Sequence, residues 1–346
     1  MNDLKTIDVV IIGAGPAGSM CGYLLKKNGV DCLLIDRAVF PRDKICGGGL
    51  TSKAWHLLEQ LMPQLQYAYN PVSHIKLDVD GKAHCAFDID DPIRIVQRRL
   101  FDHELLKQYQ AIGGAFQHDG FRDAEACDDG FIIVTFTSGE RVRCRYLVGA
   151  DGSNSRVRHW LKPDTGRGIL VMEQYVEKSG ENCIDVGLSR NYTAGGYYYR
   201  FPNQGCDVIG FGDYATTPAR FREVMSQKGF VCDKPKGAYI YLSNDYPLHD
   251  HVILIGDAGG FAHRTTCEGL YDAFRTAQNA ADAIVSGRPF REVNADIFRK
   301  KKKEVQLTKL FFSSFGFLLV KTSCAFPKLI KHIFEAKMRG ERLFRF

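Results

Sequence analysis

Residues 7–36, IDVVIIGAGPAGSMCGYLLKKNGVDCLLID, decide the fold. The run IDVVII is apolar and rich in β-branched residues, as expected of a parallel strand that is buried on both faces. The turn GAGPAG follows, then the helix-like SMCGYLLKKNG and a second apolar run, CLLID. This order of strand, glycine turn, helix and strand predicts a βαβ unit with the turn at the carboxyl end of the first strand.

The glycine turn has the spacing of a dinucleotide-binding fingerprint, GxGxxG. Gly13 permits the tight turn, Gly15 lets the backbone approach a pyrophosphate, and Gly18 lets the helix pack closely on the strand. The helix N-terminus adds unpaired N–H groups and a partial positive charge. Asp36 ends the second strand, where a carboxylate accepts hydrogen bonds from ribose hydroxyls. The predicted dinucleotide contacts here are Gly13, Gly15, Pro16, Ala17, Gly18, Asp36 and Arg37.

Composition places the chain among ordinary globular proteins. With 45% hydrophobic and 25% charged residues, its 346 residues do not have the composition of a disordered chain. The eleven cysteines form no CxxC motif or Cys/His cluster, so we expect no metal site and no disulfide framework, and a reducing cytoplasm suits them. We expect no secretory signal peptide, because the N-terminus runs directly into the first predicted strand.

Two later segments of the chain also end a predicted strand in a Gly/Asp pair. LVGADGSNSRVR at residues 147–158 and VILIGDAGGF at residues 252–261 each contain an apolar strand that ends in a Gly/Asp pair. With GxGxxG, they resemble the three ordered fingerprints of the FAD-containing oxidoreductases built like p-hydroxybenzoate hydroxylase. Arg98 in RRLFD matches an arginine that reaches the flavin side in that family. The resemblance covers residues 7 to about 286 and implies FAD as the cofactor.

The same resemblance implies the fold. It is α/β, with a Rossmann-like FAD-binding domain of the p-hydroxybenzoate hydroxylase/glutathione reductase type, an interleaved and mainly antiparallel β-sheet substrate domain, and a helical C-terminal region. The FAD-binding domain is expected at residues 1–72, 96–165 and 247–288, the substrate domain at 73–95 and 166–246, and the basic helical region at 289–346.

In families of this shape the GDA aspartate, here Asp257, hydrogen-bonds the ribityl chain, and the helix after it points its N-terminus at the flavin ring. The structural alternative is that Asp257 caps that helix. The later cofactor contacts that the resemblance implies are Arg98, Asp151, Gly256, Asp257, Gly269 and Leu270.

Within this fold, the chain is most similar to the geranylgeranyl reductases, which saturate isoprenoid double bonds. PRDKICGGGL at residues 41–50 resembles that group's KxCGG segment, which lies over the flavin, and implies cofactor contacts at Cys46, Gly47 and Gly48. GYYYRFP at residues 196–202 resembles its YxWxFP substrate motif, with tyrosine in place of tryptophan. The implied substrate contacts are Tyr197, Tyr199, Phe201 and Pro202. Arg264 replaces a proline of the GDA region, and Cys267 replaces a glycine.

A C=C reductase needs a hydride from reduced flavin, a proton donor and a site that excludes water. The candidate catalytic residues are Cys46, His263 and Tyr197, each with a purely structural alternative. The chain has no second GxGxxG motif after a strand. The reductant is therefore NAD(P)H that docks transiently, or an electron-donor protein such as reduced ferredoxin; the sequence does not choose between them.

Positive charge is concentrated at the C-terminus. Residues 288–346 carry 15 Lys/Arg and 5 Asp/Glu, whereas the rest of the chain has a net charge of −4. The run RKKKK at residues 299–303 precedes LFFSSFGFLLV at residues 310–320, which is shorter than the ~20 apolar residues of a spanning helix. This pattern fits peripheral contact with the inner face of the cytoplasmic membrane, or a helical pair packed on the protein with its lysines in solvent. The expected location is the cytoplasm, the expected substrate an apolar molecule or lipid, and no nucleic-acid partner is expected.

Two other functions stay open at this point. A flavin monooxygenase would hydroxylate an aromatic or lipid substrate. A halogenase of this lineage would carry a WxWxIP motif, which the chain lacks, since its two tryptophans are Trp55 and Trp160. A non-catalytic flavin-binding module at a membrane surface is the third possibility.

Overall fold

The structure is a computed structural model that describes residues 4–163, 168–193, 195–243, 245–247 and 249–340. The domain boundary expected at residue 165 and the last six residues of the C-terminal region lie outside the described residues.

Strands and helices alternate in the first third of the chain, strands dominate the middle, and helices dominate the end. The strands are β1 (Thr6–Ile12), β2 (Cys32–Asp36), β3 (Gly49–Leu50), β4 (Asn70–Val79), β5 (Ala83–Ile95), β6 (Ala115–His118), β7 (Phe121–Ala126), β8 (Ile132–Phe136), β9 (Arg141–Gly149), β10 (Ile169–Val176), β11 (Cys183–Leu188), β12 (Tyr197–Pro202), β13 (Asp207–Asp213), β14 (Lys236–Ile240) and β15 (Val252–Leu254). The helices are α1 (Pro16–Lys27), α2 (Ser52–Leu61), α3 (Arg98–Ala111), α4 (Arg156–Leu161), α5 (Pro218–Gln227), α6 (Leu270–Ser286), α7 (Phe290–Val293), α8 (Ala295–Phe311), α9 (Ser314–Ser323) and α10 (Pro327–Arg339).

The first sheet contains the predicted βαβ unit. Strands β6, β2, β1, β9 and β15 run parallel, and β8 and β7 extend the sheet in antiparallel fashion from β9. Helices α1, α3 and α6 cover one face, and the opposite face packs against a second apolar cluster that includes Phe121 and Phe136. Because both faces are covered, β1 is apolar on both sides. Because β1, β2, β9 and β15 are parallel, their carboxyl ends meet at one edge of the sheet.

The second sheet is mainly antiparallel, in the order β14–β10–β13–β12–β11–β4–β5–β3, with one parallel pair between β11 and β4. Helix α5 packs on one face, at Tyr198 and Phe211. The opposite face carries Tyr197, Tyr199 and Phe201 and packs partly against the C-terminal helices. The predicted α/β fold, with a Rossmann-like unit, a mainly antiparallel sheet and a helical C-terminal region, is confirmed. The exact domain boundaries stay a prediction.

The C-terminal helices are joined to the rest of the protein by buried charges. Lys301 on α8 is 1% exposed, and its Nζ lies 2.7 Å from Asp272 Oδ2 on α6 and 3.3 Å from Glu304. The expectation that the lysines of the RKKKK run stay in solvent is therefore wrong for Lys301. That position faces inward because α8 meets α6 at the Lys301–Asp272 contact, and the two carboxylates neutralise the charge of Lys301.

None of the helices in the described ranges combines the length and the apolar character that a membrane crossing requires.

Candidate functional site

The glycine turn has one open side. A Cβ on Gly13, whose φ is +103°, would lie 2.4 Å from the Ala150 carbonyl oxygen, and one on Gly18 would lie 1.8 Å from the Gly13 carbonyl oxygen. A Cβ on Gly15 would meet only the Arg42 guanidinium, at 3.2 Å. Gly13 and Gly18 are thus required for backbone packing, whereas Gly15 faces the space that a pyrophosphate needs. This turn fits a dinucleotide such as FAD.

Asp36 lies beside the turn at the end of β2. Its carboxylate accepts hydrogen bonds from the backbone N–H groups of Ala14 at 2.7 Å and Ala38 at 2.8 Å. These bonds hold an acidic group next to the glycine turn and leave carboxylate acceptor capacity for ribose hydroxyls. Arg37 is exposed, whereas Pro16 and Ala17 begin α1 and are buried.

The ADG segment, residues 150–152, stabilises the same edge of the sheet. The half-buried Asp151 accepts hydrogen bonds from Ser155 Oγ at 2.5 Å and the Arg156 N–H at 2.7 Å, so its carboxylate holds the start of α4. Burial raises the pKa of Asp151 despite these bonds. Arg158 donates to the carbonyl oxygens of Ser153 at 2.5 Å and Ala258 at 2.8 Å, which ties the ADG segment to the GDA turn.

Asp257 lies in a 3-10 turn, Gly256–Gly259, directly after β15. A Cβ on Gly269 would lie 3.1 Å from Asp257 Oδ1, which brings the GDA turn against the start of α6. The N-cap of α6 is Gly269, which has no side chain, and the Asp257 carboxylate accepts a hydrogen bond from Ser153 Oγ at 3.5 Å. Both the ribityl contact and the capping of α6 therefore stay predictions for Asp257. Leu270 is buried in the core, and Gly256 donates its N–H to Thr276.

The segment Cys46–Gly49 covers the aromatic row on the second sheet. A Cβ on Gly47 would lie 2.5 Å from the Phe201 ring and 3.2 Å from the Tyr199 ring. The ring centroids of Tyr199 lie 5.0 Å from Phe201 and 5.9 Å from Tyr197. The three predicted aromatic residues thus share one face. Pro202 is buried at the end of β12. Within the covering segment, Gly48 donates its N–H to Cys46 Sγ at 3.4 Å, and its carbonyl oxygen accepts a hydrogen bond from the Val96 N–H.

An ion-pair chain connects the covering segment with the glycine turn. The buried Arg98 donates from Nε to Asp102 Oδ1 at 2.7 Å and from Nη2 to Oδ2 at 3.0 Å, and it also interacts with Cys46. The Arg42 guanidinium lies 3.2 Å from Asp102 Oδ2. Asp102 was not predicted, although its i+4 spacing from Arg98 on a helix was a usable signal.

The loop before α6 reaches the aromatic row from the other side. The Tyr197 hydroxyl donates to the Thr266 carbonyl, and Cys267 packs against the same cluster. Cys267 has φ +54°, a left-handed conformation that a non-glycine residue rarely adopts. The backbone is thus strained at Cys267, the position at which the GDA region of the geranylgeranyl reductases has glycine. Burial raises the pKa of the Cys267 thiol to about 12.

His263 faces the C-terminal helices. Its Nδ1 lies 3.2 Å from the backbone N–H groups of Thr265 and Thr266, and its Nε2 lies 2.6 Å from Lys337 Nζ. Burial, followed by the charges of nearby lysines, holds the pKa of His263 well below its ordinary value. A neutral imidazole with both nitrogens engaged favours a structural role over proton donation.

Glu173 is the main residue that motif analysis missed. It lies on β10, is 4% exposed, and accepts a hydrogen bond from the Tyr199 hydroxyl. Burial raises its pKa to about 7. The only sequence signal was a single carboxylate in the apolar strand ILVMEQYV.

A cavity of about 240 Å³ opens beyond the Arg264 position, between the second sheet and α8. Its lining combines two cations and two hydroxyl groups with apolar side chains and comprises Gly195, Tyr214, Arg264, Val305, Thr308, Lys309 and Phe312.

Comparison with known proteins supports an FAD-binding domain. Residues 6–86 match the model of the FAD binding domain family. An uncharacterised protein of Methanosarcina barkeri is 30% identical over 306 residues, which cover 83% of this chain and 76% of the relative. Menaquinone reductase of Mycolicibacterium smegmatis is 28% identical, with 81% and 76% covered. Digeranylgeranylglycerophospholipid reductase 3 of Methanosphaera stadtmanae is 22% identical, with 90% and 88% covered.

Solved structures share the fold at low identity. The flavin-dependent brominase Bmp2 superposes with a TM-score of 0.74 at 20% identity, covering 97% of this chain and 94% of the other. A geranylgeranyl bacteriochlorophyll reductase-like protein from Thermoplasma acidophilum superposes with a TM-score of 0.69 at 18% identity, covering 95% and 90%. These likenesses show the fold. The sequence relatives and the match to the FAD binding domain show that the chain belongs to the geranylgeranyl reductase-like family of FAD-dependent oxidoreductases.

Proposed function

We propose that this oxidoreductase reduces C=C bonds of an isoprenoid or polyprenyl lipid. The observation that carries the proposal is the apolar face of the second sheet, where Tyr197, Tyr199 and Phe201 line up beneath the Cys46–Gly49 segment. Such a face suits a long hydrocarbon chain, because each buried CH₂ contributes ~0.8 kcal/mol to binding. Relatives named digeranylgeranylglycerophospholipid reductase and menaquinone reductase support a substrate with an isoprenoid chain.

Residues of the first sheet would hold the cofactor. The N–H groups at the start of α1 would bind the pyrophosphate, Asp36 the ribose, and Asp257 the ribityl chain. Arg42 would add positive charge beside Gly15. FAD in its reduced form supplies a hydride for the alkene carbon. The chain itself must then align the substrate, keep water away and donate one proton.

Cys46 and Tyr197 remain candidates for contact with substrate or cofactor. The Cys46 thiol lies in the covering segment beside Arg98, and Tyr197 is buried against the loop before α6. His263 would act as a positioning residue, since its contacts join that loop to α10. The reductant would be NAD(P)H bound transiently or an electron-donor protein such as reduced ferredoxin.

The C-terminal helices would contact the lipid phase from the cytoplasmic side. Phe317 and Ile330 are buried against the second sheet, yet large apolar side chains on the outer side stay exposed. The exposed set is Leu307, Leu310, Phe315, Leu318, Leu319, Phe326, Leu329 and Ile333. Exposed lysines such as Lys302, Lys303 and Lys328 accompany them, a combination that favours an anionic bilayer surface.

Anaerobic single turnover tests the proposal. The FAD-loaded protein is reduced by light with EDTA as the sacrificial electron donor. Geranylgeranyl diphosphate, menaquinone or a digeranylgeranylglycerophospholipid is then added without oxygen. We expect oxidation of the flavin, followed by its absorbance, and a product that has gained two hydrogen atoms in its isoprenoid chain. Fragmentation in the mass spectrometer distinguishes this gain from reduction of the menaquinone ring to the quinol. Reduction of the oxidised protein by NADPH or by reduced ferredoxin is followed in the same cell and identifies the donor.

The other functions predict different outcomes. A monooxygenase would leave the flavin reduced until oxygen is admitted, and the product would then contain an oxygen atom. A non-catalytic module would bind FAD and show no oxidation of reduced flavin that depends on any of the three lipids. Either result would overturn the reductase proposal.

A further inference from the structure

The apolar face beneath the Cys46–Gly49 segment contains one buried carboxyl group. Glu173 lies among Ile169, Val171 and Tyr199, which form a common hydrophobic cluster around it. Its Oε1 accepts the hydrogen bond of the Tyr199 hydroxyl, and the backbone N–H of Cys46 also reaches the carboxyl group. A carboxyl group at this depth is costly unless it is neutral or fully paired.

The surroundings of Glu173 favour the protonated form of its carboxyl group. Burial is the largest influence and disfavours the carboxylate, whereas the Tyr199 hydroxyl, the Cys46 amide and two cations oppose it more weakly. The titratable and charged groups that face Glu173 come from β12, from residues 43–46, and from α3, β10 and β14. They are Tyr197, Tyr199, Asp43, Lys44, Cys46, Arg98, Tyr175 and Lys236.

The neighbouring charges do not complete an ion pair with Glu173. Lys236, its register partner on β14, has its Nζ 3.5 Å from Asp43, and Arg98 is bonded through two nitrogens to Asp102. Tyr199 is therefore the side chain to which Glu173 is hydrogen-bonded in the described part of the chain. Because the carboxyl group of Glu173 can exchange a proton with the Tyr199 hydroxyl, Glu173 can act as a proton store, that is, it can hold a proton that Tyr199 later receives.

The pair coincides with a departure from the family motif. Tyr199 stands where YxWxFP has tryptophan. An indole N–H only donates a hydrogen bond, whereas a phenol hydroxyl both donates and accepts, so a proton can pass between Tyr199 and Glu173. Burial raises the pKa of Tyr199 well above its ordinary value, so its proton can leave only as the Glu173 carboxyl group replaces it. This chain thus has an exchangeable proton on the substrate-facing aromatic row, where the motif provides none.

We infer that Tyr199 and Glu173 form the proton-donating group of this site. The inference rests on the proposed C=C reduction. When Glu173 is protonated, its carboxyl O–H donates to the Tyr199 oxygen, and the Tyr199 hydroxyl can donate to the substrate. As the hydride reaches one alkene carbon, the Tyr199 hydroxyl gives its proton to the other carbon, and the new C–H bond takes the alkene π electrons. The Glu173 carboxyl proton then moves to the Tyr199 oxygen, and solvent returns a proton to Glu173 after product release. The alkene gains one hydride and one proton, so the charge balances.

Three variants test the pair. Tyr199→Phe removes the donor, Glu173→Gln removes the proton store but keeps an acceptor of the same size, and Tyr198→Phe is the control. Tyr198 lies on the same strand but faces α5 on the opposite side of the sheet. Each protein is purified with FAD, and its flavin content confirms that the cofactor site is intact.

The first measurement is the anaerobic rate of flavin oxidation by the active lipid, from about pH 5 to about pH 9. General acids typically contribute at least about 100-fold to the rate, so Tyr199→Phe is expected to lose that much. In the wild-type protein the rate falls as pH rises through a midpoint near 7, and Glu173→Gln loses this midpoint. Wild-type rates and pH profiles in both variants would overturn the inference, as would an equal loss in Tyr198→Phe.

The second measurement does not need turnover. Infrared difference spectra of the protein without substrate, over the same pH range, are expected to show a protonated carboxyl group that is lost on alkalinisation. The band should be missing in Glu173→Gln, shifted in Tyr199→Phe and unchanged in Tyr198→Phe. If the wild type reduces none of the three lipids, the proposed function fails while the infrared titration still decides whether Glu173 holds the proton. Absence of the band would overturn the inference even in an active enzyme.

Discussion

Gly15 and Gly18 lie three residues apart in the same turn, yet their surroundings predict opposite effects of substitution. Gly15→Val should fold, because only the end of the flexible Arg42 side chain must move. The branched side chain would fill the space of the pyrophosphate, so we expect the FAD content to fall at least about tenfold. The flavin-to-protein absorbance ratio after purification with added FAD measures it.

Gly18→Val is the matched comparison. Its Cβ would lie 1.8 Å from the Gly13 carbonyl oxygen, so this variant should fail to fold stably. A fully loaded, yellow Gly15→Val protein would contradict the assignment of the turn to the cofactor. An equally unstable Gly15→Val protein would show that Gly15 serves packing, as Gly18 does.

Glu173 also predicts a pH dependence of stability. Its pKa is raised to about 7 in the folded protein, so the native state keeps this proton while the unfolded chain loses it near the ordinary glutamate value of 4.5. The free energy of unfolding should therefore fall as pH rises between these two values, by up to about 1.4 kcal/mol per pH unit, and stay level above them. Denaturant titrations of the wild type and Glu173→Gln measure the difference. A constant difference across this range would contradict it.

Local features of the site were predictable, and long-range ones were not. The roles of Gly13, Gly18 and Asp36 follow from a single strand–turn–helix–strand segment, so spacing was sufficient. The position of Glu173 depends on the pairing of β10 with β13 and on coverage by a segment more than 100 residues away, which no local pattern encodes. Cys267 is an intermediate case. The sequence motif showed that a cysteine replaces a glycine there, but it did not predict that the cysteine keeps a positive φ.

At the level of whole elements, α9 and α10 combine a packed side with an exposed apolar side. Leu318 is 56% and Leu319 50% exposed on α9, next to the buried Phe317. Replacing both leucines with serine should weaken binding to vesicles of phosphatidylglycerol at least about tenfold, since each lost leucine contact contributes ~1.5 kcal/mol or more. Co-sedimentation at low and high salt measures it, and salt should weaken the wild-type binding.

The control for that experiment is Val231→Ser, which removes an apolar side chain that is 81% exposed outside the C-terminal helices. It should sediment like the wild type. Equal binding of the wild type and the double leucine variant would refute membrane contact through α9. Stronger binding to neutral phosphatidylcholine than to phosphatidylglycerol would refute the role given to the lysines.

The βαβ unit and the basic C-terminal segment were each recognisable along the chain, but the connection between them was not. Helix α8 contributes Lys301 to a group of buried charges that includes Asp272 on α6 and Glu304. In the same region the Lys53 Nζ on α2 lies 2.6 Å from Glu268 Oε2, in the loop before α6. A count of charges along the sequence predicts that a run of lysines lies in solvent. It contains no information on which lysine of a helix meets a carboxylate on another helix.

At the scale of the whole molecule, these charges predict that the C-terminal helices unfold together with the FAD-binding unit. Lys301→Ala would leave Asp272 and Glu304 buried without their cation, which typically costs ~3–5 kcal/mol. We expect one cooperative transition at a lower denaturant concentration, with fluorescence and circular dichroism coinciding. Lys302→Ala, next to it but exposed, should change the free energy of unfolding by less than about 0.5 kcal/mol. An early, separate loss of helix signal in Lys301→Ala, with the remaining transition unchanged, would instead show that the helices are an independent appendage. The exposed apolar side of α9 and α10 and the FAD-binding unit would then lack the rigid connection that the buried charges provide.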